Sequence, residues 1–365
     1  MRHVALNMYK RVLRPILFRL DPESVHNRAI LAGRFLAFTR LSRLLRYFFV
    51  FKSKKLENEV LGIRFENPIG LAAGFDKNAR LTGIMPDIGF GFIEIGSVTA
   101  EPCIGNPRPR LHRLVQDSGI IVNYGLANQG ADIIHSRLKN RKNRIPLGIS
   151  IAKTNDPNIK GDDSVKDYLK SFEILKGLGS YITINISCPN TGDGKSFEDP
   201  ALLEDLLKQI SGKKKTEKIL LKISPDLEKS RLDAITRLAG KYKIDGFIVS
   251  NSTKKRENLA ADPKLEHKGG ISGRPVKEKS DSMIRYLFQK TKGKFVIIGC
   301  GGVFSGKDAY DKIKNGASLV QLVTGMIYEG PAVIKKINKE LVSLLEKDGY
   351  SNIRDAIGKG TANED

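Results

Sequence analysis

An α/β chain built as a (β/α)8 barrel with an N-terminal α-helical cap is what the sequence predicts, and three observations carry the prediction. Eight short apolar, β-branched runs follow one another between residues 67 and 325, with helical periodicity between them. Their hydrophobicity is nearly continuous rather than alternating, as in strands buried on both faces of a parallel sheet. Eight such units in about 270 residues match a closed barrel. A doubly wound sheet would usually open with a GxGxxG turn after its first strand, and none stands there.

The first fifty residues have a different character. Met8, Val12, Leu13, Ile16, Leu17 and Leu20 recur at helical spacing, with Lys10, Arg11, Arg14 and Arg19 interleaved. After "DPESVH", where Asp21 or Ser24 can cap, a second apolar helix runs from about Val25 to Phe38, followed by "LSRLLRYFFVF". These helices either pack on a core or dip into a lipid interface. The expected division is a cap over residues 1–55, a barrel over 56–350 and a C-terminal tail over 351–365, whose "GKGTANED" reads as disordered.

The eight runs are "NPIGLAAG", "GFIEIGSV", "IPLGISIA", "YITINIS", "KILLKIS", "DGFIVSN", "KFVIIGCGG" and "SLVQLVTG". Barrel chemistry gathers at the C-terminal ends of the strands, and that is where the polar residues are. The first run leads into Asp76 and Lys77, the second ends in Ser97 and the third in Ser150. The fourth ends in Asn185, Cys188 and Asn190; the fifth carries Lys222, and the sixth Ser250, Asn251 and Ser252. Lys222 inside an apolar strand needs a partner, because a buried unpaired ammonium is costly. The glycine turns "GCGGVFSG" and "VTGMIYEGP" each run into a helix, a pattern that cradles an anion at the corner where barrels often bind phosphate.

Composition narrows the partners. With 62 Lys and Arg against 40 Asp and Glu the net charge is +22, which points to solvated lysine-rich helices such as "KNRKNR" and "SGKKKTEK", to nucleic acid or to an anionic membrane surface. Nucleic acid is disfavoured, because tryptophan is absent and no aromatic-basic interleaving forms a stacking platform. The three cysteines make no paired framework and no metal-ligand spacing, so no metal is expected and a reducing compartment is. No apolar stretch is long enough to span a bilayer. No presequence is evident, so a bacterial protein held peripherally on the cytoplasmic side of the cell membrane is expected.

These residues resemble the quinone-dependent, membrane-associated class 2 dihydroorotate dehydrogenases. The resemblance runs from "LFRLDPESVH" through "GLAAGFDKNA", "GFGFIEIGSVT", "GNPRPRLHRL", "NISCPNT", "LLKISPDL", "IDGFIVSNST", "GGISGRP" and "VIIGCGGV" to "GASLVQLVTG". It implies oxidation of dihydroorotate to orotate with FMN as hydride acceptor and a membrane quinone as final acceptor; the sequence does not fix the oligomeric state, for which a monomer is the expectation. By this resemblance FMN contacts Ala72, Ala73, Gly74, Ser97, Ser150, Asn185, Lys222 and Ser250, with Gly273, Gly301, Gly302, Thr324 and Gly325 around its phosphate and ribityl chain. Dihydroorotate is held by Lys77, Asn123, Asn185, Asn190, Asn251 and Ser252, and His26 and Arg113 line the quinone entrance. Asparagine suits a pyrimidine, since its amide both donates and accepts.

Cys188 falls at the position of the base that removes the C5 proton. Class 2 chains ordinarily have serine there, and cysteine marks the soluble class 1 enzymes. A thiol reaches its basic form far more easily than an alcohol near neutral pH. Other departures are "IVNYGLANQ" in place of I-N-R-x-G-F, which sets Val122 where an asparagine is usual, Ser150 in place of a flavin-binding asparagine, and Val323 in place of a tyrosine beside the quinone path. Cys188 and Ser150 suggest an alternative acceptor, fumarate or NAD, whereas the cationic helices with His26 and Arg113 favour quinone. A basic barrel without catalysis, binding membrane or nucleic acid, is the reading from a different class.

Overall fold

The computed structural model describes residues 8–39, 41–187, 196–257, 259–260 and 267–360. Ahead of the barrel stands an antiparallel hairpin, β1 (Asn58–Val60) and β2 (Ile63–Phe65). Its turn places both Leu61 and Gly62 at positive φ, the type I′ geometry that matches strand twist.

The eight runs then form the barrel: β3 (Ile69–Leu71) and β4 (Phe92–Val98) come first. Between β4 and the rest, β5 (Leu111–Leu114) and β6 (Gly119–Val122) leave the barrel. It resumes with β7 (Leu147–Ile151), β8 (Tyr181–Asn185), β9 (Ile219–Ile223) and β10 (Gly246–Val249). After the excursion β11 (Gly270–Gly273), it finishes with β12 (Val296–Cys300) and β13 (Leu319–Leu322). The eight close in the order β10-β12-β13-β3-β4-β7-β8-β9, and every pairing is parallel.

The barrel floor is filled rather than open. Phe92, Tyr181, Leu220, Ile248, Ile298 and Leu319, one from each of six strands, meet there, and Phe65 of the hairpin packs edge to face on Phe92 at 5.3 Å. Two glycines make room for the rings: a Cβ at Gly70 would lie 2.3 Å from Phe92, and one at Gly148 2.2 Å from Tyr181. Overfilling of this kind costs about 1–3 kcal/mol. Above the rings Glu94 Oε2 accepts from Tyr181 Oη (3.1 Å), Thr183 Oγ1 (3.0 Å) and Gln321 Nε2 (3.1 Å), a polar layer that separates floor from rim.

The excursion strands pair as a three-stranded antiparallel sheet, β11-β6-β5, at the C-terminal side of the barrel. Cap helices Arg14–Arg19 and Pro22–Phe38 adjoin it, and a third, Leu41–Phe49, packs on the short helix Met85–Ile88. Asp21 caps the long helix by accepting from Ser24 N–H at 2.7 Å, with Pro22 at the first helical position, where its missing N–H costs nothing. Glu23, 5% exposed, receives Arg110 Nε and Nη2 at 3.1 and 2.8 Å and so pins the helix to the barrel rim.

The C-terminal segment differs from the sequence expectation. Ile353 and Ala356 are fully buried, and Gly358 and Gly360 donate to Ile313 O and Lys314 O. A capping box between Asn352 and Asp355 rigidifies the turn that presents those two apolar side chains, so the chain stays docked through residue 360.

Candidate active site

A cavity of about 230 Å³ opens at the C-terminal ends of the strands, under the three-stranded sheet and the cap. One wall is a chain of short polar side chains. Ser97 Oγ lies 2.9 Å from Ser150 Oγ and accepts from Asn185 Nδ2 at 2.9 Å. Asn251 Nδ2 donates to Asn185 Oδ1 at 3.3 Å and to Ser187 Oγ at 3.0 Å, and Ser187 Oγ donates to the carbonyl of Lys222 at 3.2 Å. Five strand ends are thereby tied together, which fixes the amides before any ligand arrives. Lys222, 5% exposed, lines the same cavity, and among the described residues its ammonium has no hydrogen-bond or ion-pair partner. Ala72, Ala73 and Gly74 border it from the end of β3, and Ser250 and Ser252 from the end of β10.

Gly273, Gly301, Gly302, Thr324 and Gly325 gather at one end of the cavity, and Ser272 Oγ and Thr324 Oγ1 share a 2.9 Å hydrogen bond there. Gly301 has φ +119° and Gly302 φ +71°, so this turn needs glycine. The helix after β12, Gly306–Lys314, is not the anion cradle its sequence suggests. Ser305 and Asp308 cap it, and Gly306 N–H donates to Glu340 Oε2 at 2.6 Å, so protein carboxylates already occupy its N-terminus. The glycines themselves remain as the polar end of the cavity.

Toward the cap the cavity turns apolar, with Phe75, Leu111, Ile120, Val122, Val323 and Ile327. His26 joins them, its ring edge to face with Phe75 at 4.9 Å. Burial and then the Lys77 ammonium push its pKa down to about 3, so it is a neutral imidazole at physiological pH.

Three predicted residues stand off the wall. Ser150 is fully buried one layer back and acts through Ser97. Asn123 turns to Asn106, whose Nδ2 donates to its Oδ1 at 2.9 Å, while Val122 on one side and Tyr124 on the other face the cavity. Arg113 donates to Phe18 O and Leu20 O and lies over the Phe18 ring at 4.6 Å, which straps the cap to β5. Cys188 and Asn190 lie outside the described residues.

Lys77 sits at the wall with its Nζ 3.7 Å from the centroid of the Tyr124 ring. Desolvation lowers its pKa to about 8, with Glu23 opposing and Arg110 assisting. A carboxylate bound by this ammonium needs it protonated, which holds below about pH 8 and fails above. We expect kcat/KM for an anionic substrate to fall above pH 8, and Lys77→Met to abolish that limb while raising KM about ten- to hundredfold, the worth of a charge-assisted hydrogen bond. A pH profile flat from 7 to 9.5 in the wild type would refute this.

The cavity thus combines a polar ring able to read amide edges, an unpaired buried cation, a glycine-lined end and an apolar arm. A family model described as dihydroorotate dehydrogenase matches residues 55–345. The chain belongs to the dihydroorotate dehydrogenase family. It is 43% identical to the dihydroorotate dehydrogenase (quinone) of Christiangramia forsetii, with 92% of this chain and 99% of that protein covered. It is 40% identical to the enzyme of the same name from Gloeobacter violaceus, covering 95% and 98%. Among solved structures, a dihydroorotate dehydrogenase from Eimeria tenella in complex with ferulenol superposes with a TM-score of 0.82 at 31% identity, over 94% of this chain and 96% of that one.

Some cavity residues of this family member escaped the sequence reading. Tyr124 and Gln321 line the wall, and Cys300 the floor beside Lys222. Gln321 carried a signal, a polar residue alternating within the apolar run "SLVQLV". Tyr124 carried none beyond its place in a glycine-containing loop.

Proposed function

We propose that the protein oxidises dihydroorotate to orotate, with FMN as the hydride acceptor and a membrane quinone as the final one, in the synthesis of pyrimidine nucleotides. The observation that carries this reading is one cavity in which the polar ring of Ser97, Asn185 and Asn251 adjoins an apolar arm that runs to the cap. FMN fits the residues present: the orphaned ammonium of Lys222 would meet the anionic edge of an isoalloxazine, and Gly273, Gly301, Gly302, Thr324 and Gly325 would take the ribityl phosphate. When bound, FMN supplies the acceptor for the hydride that leaves C6.

The chain's own groups do the rest. Lys77 binds the substrate carboxylate, Asn185 and Asn251 meet the pyrimidine amides in orientations fixed by their mutual hydrogen bonds, and Asn190 and Ser252 complete the contacts. Cys188 takes the C5 proton as its thiolate. His26, held neutral, keeps the apolar arm free of charge, so a quinone head group enters without desolvating an imidazolium. Arg113 supports that entrance by holding the cap.

The cap, residues 1–55, would lie in the membrane interface. Its helices expose Phe35, Phe38, Leu41, Leu44, Tyr47 and Phe48, with Phe38 88% exposed, among arginines suited to anionic headgroups. Among the described residues no helix is long and apolar enough to cross a bilayer.

The test is dihydroorotate oxidation by FMN-loaded protein with a soluble ubiquinone analogue, fumarate or NAD as acceptor. The quinone is expected to be reduced fastest. Preference for fumarate or NAD would instead support the class 1-like reading that Cys188 and Ser150 favour, and would leave the dihydroorotate half-reaction intact.

A further inference from the structure

The mechanism leaves a fully buried carboxylate unused. Glu94 stands on β4 inside the barrel, between the floor of rings and the cavity. Glu23 and Asp87, also buried, are each met by an arginine, at 2.8 and 2.6 Å. Among the described residues Glu94 has no cation within ion-pair distance. Its Oε2 takes the donors of Tyr181, Thr183 and Gln321, whereas its Oε1 is buried with no hydrogen-bond partner.

Gln321 joins this layer to the cavity, which it lines. A carboxylate only accepts, so the amide nitrogen of Gln321 faces Glu94, and its amide oxygen is left buried without a donor. Lys222 lines the same cavity from β9, and among the described residues its ammonium has no acceptor. The barrel interior thus holds one cation and two oxygens that nothing answers. Burial raises the pKa of the Cys300 thiol on the cavity floor, the Lys222 and Lys312 ammonium groups oppose the rise, and the Glu94 carboxylate adds to it. The charges of Lys222 and Glu94 therefore both reach one side chain. A single buried charge of either sign is costly, and opposite charges inside a protein attract beyond contact distance because little water screens them.

We propose that Glu94 is the counter-charge of Lys222 and sets the reduction potential of the bound flavin. On the function proposed above, on which this rests, Lys222 faces the flavin edge that becomes negative on reduction. The ammonium favours the reduced flavin, and the carboxylate behind it takes back part of that pull. Glu94 is accordingly a positioning residue, acting through Lys222 on a carrier that must both accept a hydride and pass electrons on.

The potential of FMN-loaded protein is read by reductive titration beside a dye of known potential, without substrate or quinone. Glu94→Gln removes the charge and little volume. At the wild-type midpoint its ratio of reduced to oxidised flavin should be about tenfold higher, about 30 mV for a two-electron couple. Thr183→Val keeps the carboxylate but removes one of its donors, which leaves the charge less compensated, so its potential should fall. Disturbed packing would shift both variants alike or neither, and Thr183→Val decides alone where Glu94→Gln does not fold. Wild-type potential in Thr183→Val, or shifts of the same sign in both variants, overturns the proposal and leaves the dihydroorotate reading standing. Wild-type protein that takes up no FMN overturns both.

Discussion

Cys188→Ala is expected to lower kcat for dihydroorotate oxidation by about 10²–10⁴-fold, the usual contribution of a positioned base, while FMN binding and the visible spectrum of the bound cofactor persist. The residue before it is fixed: Ser187 receives Asn251 Nδ2 and donates to Lys222 O, so the chain leaves β8 at a set point beside the amide ring. Cys188→Ser separates base from bystander. An alcohol ionises far above the thiol's ordinary value of about 8.5, so the serine variant should retain less activity near neutrality and shift its pH profile to the alkaline side. Rapid mixing with dihydroorotate while flavin absorbance is followed isolates the proton-dependent half-reaction from the acceptor. Wild-type rate and profile in Cys188→Ser would remove the residue from the mechanism.

Lys222→Met should yield protein that loses FMN, with affinity weakened about ten- to hundredfold by the absent charge-assisted hydrogen bond. The same substitution should leave the cofactor-free barrel as stable as the wild type or more so, because methionine replaces a buried ammonium that has no partner among the described residues. These two effects have opposite signs. Equilibrium dialysis with FMN and thermal melting of the stripped proteins measure them separately. If the stripped variant melts well below the stripped wild type, Lys222 is a structural residue, and the flavin role assigned to it fails.

The barrel was legible because its eight strands are mostly apolar and buried on both faces, and a run such as "YITINIS" carries that signature without tertiary help. The hairpin β1–β2 was not, since its turn uses Leu61 rather than the Asn-Gly or Asp-Gly pair that marks such turns. Nor was the sheet β11-β6-β5, whose strands are four residues each and whose β11 pairs with β6 across more than a hundred residues of sequence. Site residues on strand ends were readable for the same reason as the strands: Asn185, Lys222 and Ser250 are placed by the barrel's geometry. Asn123 and Arg113 depended on which way a side chain turns after it leaves a strand. That was settled by Asn106 and by the carbonyls of Phe18 and Leu20, groups with no sequence proximity to them. The docked C-terminal turn was hidden by its polar composition, in which Ile353 and Ala356 are buried in the core and Ile357 packs against it.

The floor of the barrel, where Phe92 and Tyr181 press against Gly70 and Gly148, has a consequence for how such a chain diversifies. A substituent added at either glycine collides with an aromatic ring, so the closed end is frozen. The cavity residues Ser97, Asn185, Lys222 and Ser250 fall toward the other ends of the strands, away from those rings. Substitutions that leave the barrel intact are therefore channelled to its open end, where the cavity is lined.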